Sequence, residues 1–109
     1  MRFWAWAVAV VLVLSVSSAS AQDKDQRNLW LYEGGWYQKK EGKEWIEQNW
    51  STYAEGKVIK YVEVKRTEAY VEIIDKDRNI VVRLYDSTEE HKSAGNDNWE
   101  TGYKGRWKK

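Results

Sequence analysis

The chain has 109 residues and a formal net charge of +1, with no cysteine, no proline, one histidine, eight tryptophans and seven tyrosines. That length bounds it to a single small domain, and the missing cysteines exclude a disulfide scaffold, a thiolate metal site and a thiol nucleophile. The near-neutral balance argues against a nucleic-acid partner, because such binding draws its affinity from lysines and arginines displacing counterions around phosphates.

Residues 1–21 read as a secretory signal peptide. Arg2 supplies the positive start, 3–14 is an unbroken apolar run, and Ala19-Ser20-Ala21 offers a small-residue cleavage site. The run falls short of the roughly 20 apolar residues that cross a bilayer. Cleavage, a secreted or periplasmic destination and no membrane attachment afterwards are therefore expected. Removing those 21 residues, Arg2 among them, leaves 88 with 17 basic and 17 acidic side chains. An exported chain without disulfides must take its stability from packing, an economy that fits bacterial export.

After a polar leader, 22–28, residues 29–109 read as one antiparallel β domain. Segment 29–39 is aromatic and broken at Gly34-Gly35, where a bend is expected. A hairpin connection at 40–43 leads to a strand over 44–52, with a turn at 54–57. Residues 58–65, 68–74 and 80–85 are dense in β-branched side chains, and in the last two apolar and polar residues alternate. The polar stretch 86–98 leaves room for a short edge strand around 89–93. In the final segment Trp99, Thr101, Tyr103, Gly105 and Trp107 fall on one face, predicted to point inward. Six to eight short strands with brief connections make an antiparallel meander. The glycine-aromatic first and last strands suggest pairing that closes it, or partly closes it, into a small barrel.

From Trp30 to Trp107 the chain resembles the small exported β-meander domains of uncharacterised bacterial proteins. The matching pieces are Gly35-Trp36, Lys65-Arg66-Thr67-Glu68 with Val71-Glu72, then Asp75 and Arg78 with Val82-Arg83-Leu84, and finally Gly102, Gly105 and Trp107. Those domains have no assigned activity, so the resemblance implies a fold and no chemistry.

No cluster in the sequence has the composition of an active site. His91 stands among Glu89, Glu90 and Lys92 and reads as an exposed histidine in a charged loop. Asp75, Asp77 and Asn79 have the opening spacing of a calcium loop, but Ile80 occupies the position that needs glycine, so a turn is expected and no metal. Glu63, Glu68, Glu72 and Asp86 could in principle pair for glycoside cleavage. Lys60, Lys65, Arg66 and Arg83 lie in the same strands, and cross-strand ion pairs account for the mixture. Asn49-Trp50-Ser51 fits the glycosylation rule, yet Trp50 falls in a predicted strand.

The aromatics are needed first for the core. A surplus is expected in an outward stripe of Tyr61, Tyr70 and Tyr85 beside Arg83 and Glu72, a candidate ligand-binding face. The expected function is a secreted, monomeric, non-enzymatic module without a cofactor that recognises an extracellular polysaccharide or protein through aromatic side chains. A structural envelope component and a small carboxylate hydrolase are the alternatives.

Overall fold

The computed structural model describes residues 26–109; the predicted signal segment and residues 22–25 lie outside the described residues. Eight strands follow one another: β1 (Leu29–Tyr32), β2 (Gly35–Lys39), β3 (Glu44–Asn49), β4 (Ile59–Arg66), β5 (Tyr70–Asp75), β6 (Ile80–Tyr85), β7 (Thr88–Ser93) and β8 (Glu100–Trp107), with one short helix, α1 (Trp50–Ala54), after β3. Each strand pairs antiparallel with the next, and β8 pairs with β1, so the all-β meander closes into a barrel.

Alternation decides what fills it. Val71, Ile73 and Asp75 of β5 point inward, as do Val82 and Leu84 of β6. The four aliphatic side chains meet the rings of Trp30, Tyr32, Tyr37, Trp45, Tyr61 and Trp107 in one core. An eight-stranded barrel is just wide enough to be filled by side chains, and large rings do that economically. Trp30 and Tyr37 lie 6.0 Å apart at 63°, Tyr37 and Tyr61 5.7 Å at 61°, and Trp45 and Trp107 6.3 Å at 69°. These are the edge-to-face contacts that ring quadrupoles favour.

The closing seam sets Trp30 opposite Trp107 and Tyr32 opposite Gly105. A Cβ on Gly105 would strike the Leu31 carbonyl oxygen and the Trp30 ring. Glycine here is a condition of closure, because the first obstacle is backbone.

Three elements differ from the sequence expectation. The strand expected over 44–52 ends at Asn49, whose partner Gly35 is the first residue of β2. Beyond it the ladder has no further partner, and the chain curls into α1, with the Trp50 N–H donating to the Gly34 carbonyl at 3.1 Å. The expected edge strand in 86–98 is β7, paired on both sides, so it is no edge at all. Its polar composition hides an inward pair, Glu89 opposite Leu84 and His91 opposite Val82. In β8 the single face expected for 99–107 is broken by a bulge: Gly102 and Tyr103 together oppose Glu89. Tyr103, Gly105 and Trp107 stay on the inner side, while Thr101, paired with outward Glu90, faces out, and Trp99 precedes the strand.

The connections 33–34, 50–58, 76–79 and 94–99 gather at one pole, here the upper pole. Chain segments 26–28 and 108–109 leave from the lower pole. There Glu63 is held by Arg66, whose Nε and Nη2 both donate at 2.9 Å, by Trp45 Nε1 at 2.9 Å and by Lys39 Nζ at 3.6 Å. Burial alone would raise the Glu63 carboxyl, but the hydrogen bonds from Arg66 and Trp45 and the charges of Arg66 and Lys39 outweigh it and hold it at about 2.

Two measurements follow from this frame. Gly105→Ala should cost about 1–3 kcal/mol in urea denaturation, the usual range for overpacking; an unchanged midpoint would mean the seam has slack. The depressed Glu63 carboxyl supplies stability that is complete above about pH 4.5 and is lost as pH falls through 2, an effect of about 3 kcal/mol that solvent screening of the partly exposed group reduces to about 2. Glu63→Gln should remove that acid-side slope from denaturation profiles between pH 5 and 2.

Candidate functional site

Four members of the expected stripe are together on the outer face of β5 and β6. Tyr70 and Tyr85 are register partners with ring centroids 5.3 Å apart, and Arg83 Nε donates to Glu72 Oε1 at 2.8 Å. Tyr61 is not with them. It lies inside the barrel, 3% exposed, opposite Trp45. The reason is a bulge in β4 between Glu63 and Lys65, which reverses the alternation so that the two halves of the strand cannot be read with one phase.

Trp99 completes the stripe in place of Tyr61. The Arg83 guanidinium lies 4.4 Å from the centroid of Tyr70 and 4.2 Å from that of Trp99, and Lys92 Nζ lies 4.8 Å from Trp99. With the rings of Tyr70 and Trp99 against its guanidinium and its Nε on Glu72, Arg83 is committed to its own neighbours. The stripe works as a clamp that fastens the loop before β8 onto β5, β6 and β7.

A freer aromatic surface lies at the upper pole. Tyr32, Gly34, Gly35, Trp36, Asn49 and Trp50 line an open groove of about 490 Å³. Trp50 is 75% exposed and its ring rests against Gly34, 3.5 Å from where a Cβ would stand. Gly34 has a φ of 93°, a conformation that a side chain would resist. The tight turn therefore carries the chain under the indole without raising a side chain into the groove. No lining residue is charged.

Beneath the groove runs a buried polar column. The Tyr32 hydroxyl donates to Glu47 Oε2 at 2.6 Å, and the Tyr61 hydroxyl donates to Glu47 Oε1 at 2.8 Å. Arg78 Nη2 donates to the Tyr61 oxygen at 3.2 Å, and its Nε is bonded to Asp75. Burial first, and the Glu47 charge after it, push the hydroxyls of Tyr32, Tyr37 and Tyr61 far above the ordinary phenol range. They remain proton donors throughout the physiological range. Asp75 Oδ1 also accepts the N–H groups of Asp77 and Arg78, so the acidic cluster after β5 is a turn.

A second buried carboxylate, Glu89, is 2% exposed. Its Oε1 accepts the Tyr103 N–H at 3.1 Å, and its Oε2 lies 3.0 Å from His91 Nδ1. Burial raises the Glu89 carboxyl against these two contacts, and the Glu47 charge raises it further. His91 is half-buried in β7, not exposed in a loop. Tyr103 overhangs the pole, stacked on Tyr32 at 4.0 Å and 13°.

Of the carboxylates weighed from sequence as possible acids, Glu72 is ion-paired with Arg83 across β5 and β6, as cross-strand pairing suggests, while Glu63 is ion-paired with Arg66 of its own strand β4. Among the described residues no group of three or more histidine and acidic side chains is placed to hold a metal ion. Trp50, Trp36, Glu47 and Glu89 were not among the site residues expected from the sequence. Counting from inward Trp45 places Glu47 inside and Trp50 outside, and that phase was the available signal.

Comparison with known protein families, with curated proteins and with solved structures finds no match to this chain.

Replacing Tyr32 by phenylalanine strips Glu47 of a donor while keeping the ring. A buried acceptor left short of a partner costs about 1–3 kcal/mol, so urea melts of Tyr32→Phe should show that loss, and stability equal to the parent would mean that Glu47 is otherwise satisfied.

Proposed function

We propose that this is an exported, non-enzymatic binding module that takes a neutral glycan chain on the upper-pole groove. The observation that carries the reading is Trp50, an indole 75% exposed over a groove lined by rings and an amide. An exposed indole grouped with the rings of Tyr32 and Trp36 around an open groove is the kind of contiguous aromatic patch that supports an interaction site. Sugar rings present flat C–H faces that cover an indole well and hydroxyl edges that suit a polar neighbour such as Asn49. Each patch of about 100 Å² removed from water contributes about 2.5 kcal/mol.

Uncharged lining favours neutral sugars over uronates or sulfated polymers. The absence of any carboxylate from the groove wall favours binding over glycoside cleavage, which needs two acids flanking the bond. The clamp stripe is a weaker candidate, since its central cation is already engaged by two rings and a carboxylate.

Cellohexaose, laminarihexaose and chitohexaose should be titrated against tryptophan fluorescence. Trp50→Ala is expected to lower affinity at least tenfold while changing stability by less than about 0.5 kcal/mol, as for other exposed positions. Trp99→Ala should leave affinity unchanged. The reading fails if none of the three binds, or if Trp99→Ala weakens binding as much as Trp50→Ala.

A further inference from the structure

The groove is the first of three depressions that run into one another along the closing seam. It shares Tyr32 with a depression of about 400 Å³ walled by Leu31, Glu33, Lys104 and Arg106. That one shares Arg106 with a third, of about 570 Å³, which reaches Asp86, Lys108 and Lys109. Register ties them together. Trp36 in the groove pairs with Leu31, and Leu31 pairs with Arg106, so the outer face passes from indole to guanidinium in two strand spacings, roughly 10 Å.

Along β8 the charges follow the pleat. Tyr103, Gly105 and Trp107 take the inner side, which leaves Lys104 and Arg106 exposed on the outer, with exposed Lys108 continuing the alternation. Successive cations of this stripe stand about 6–7 Å apart. On the outer face of β4 to β7 such charges are matched: Lys65, Glu72, Arg83 and Glu90 are successive register partners of alternating sign. At the seam they are not. Lys104 stands opposite Thr88 and Arg106 opposite Leu31. Among the described residues, Lys104, Arg106, Lys108 and Lys109 take part in no ion pair. Glu33 and Asp86 are the acids of the two depressions, so these four cations keep the track positive. Cross-strand pairing therefore does not account for the stripe.

We propose that the seam extends the glycan site: the track takes a linear chain whose sugar on Trp50 is uncharged and whose following units carry carboxylate side groups that settle on Lys104 and Arg106. This inference rests on the groove being the binding site and narrows its ligand to a chemical class. The uncharged lining suits the sugar ring at the tip, and the stripe suits anions carried a short way along the same chain. Attraction between exposed charges is screened by salt, whereas the cover of an indole by a sugar face is an apolar contact. The two parts of the site are therefore separable by experiment.

Chitotetraose and the alternating tetrasaccharide of N-acetylglucosamine and N-acetylmuramic acid differ in the lactyl carboxylates that the second carries. In about 20 mM salt the acidic chain should bind at least fivefold more tightly, and in about 500 mM salt the two should bind within about twofold of each other. Lys104→Gln combined with Arg106→Gln, both at exposed positions, should abolish the preference and leave chitotetraose affinity unchanged, which also reports an intact fold. Trp50→Ala should weaken both chains. A preference that survives the double substitution, or binding of the acidic chain untouched by Trp50→Ala, overturns the track. If chitotetraose binds through Trp50 and the acidic chain binds no better, the groove stands and the track falls; if neither chain binds, both fall.

Discussion

The pairing of β8 with β1 makes the molecule possible, and it depends on how closely two backbones can pass between tryptophans. Trp30 and Trp107 face each other across the seam, and Gly105 sits where any larger residue would meet the Leu31 carbonyl. With no disulfide to restrain the unfolded chain, closure must be secured by the interior alone. Rings supply most of that interior, and their edge-to-face contacts leave little room for a ligand inside. A barrel packed in this way leaves its open grooves on the surface and at the poles.

The same packing explains why polar groups inside are so thoroughly arranged. Glu47 is matched by two tyrosine hydroxyls, Glu63 by two cations and an indole N–H, and Asp75 by an arginine and two backbone N–H groups. A buried acid left without such partners would cost more than its neighbours could return. Among the described residues, the indole N–H of Trp107 is the buried side-chain polar group with no hydrogen-bond partner. It lies at the seam, where two indoles and a close backbone approach leave little space for an acceptor.

The sequence made the all-β class legible through the period-2 alternation of β5 and β6, and the closure through the glycine-aromatic character of the end strands. It misled wherever a bulge intervened. Val64 in β4 and Gly102 in β8 each shift the phase of their strand, and Tyr61, Thr101 and Trp99 were consequently assigned to the wrong side. The β8 bulge follows from a contact distant in sequence: Gly102 lies against the Glu89 carboxylate of β7, and no local pattern announces it. Glu89 and His91 were hidden for a related reason. Acidic and basic neighbours in a polar stretch look like solvated surface until the partner strands show that every second one turns inward.

The two ends of the barrel meet at the lower pole, where the Lys108 N–H donates to the Leu29 carbonyl at 2.8 Å. The indole of Trp50 lies at the opposite pole. The described chain thus enters and leaves the barrel on the side opposite the aromatic tip, so the two ends of the closed sheet are fastened to each other and not to the groove.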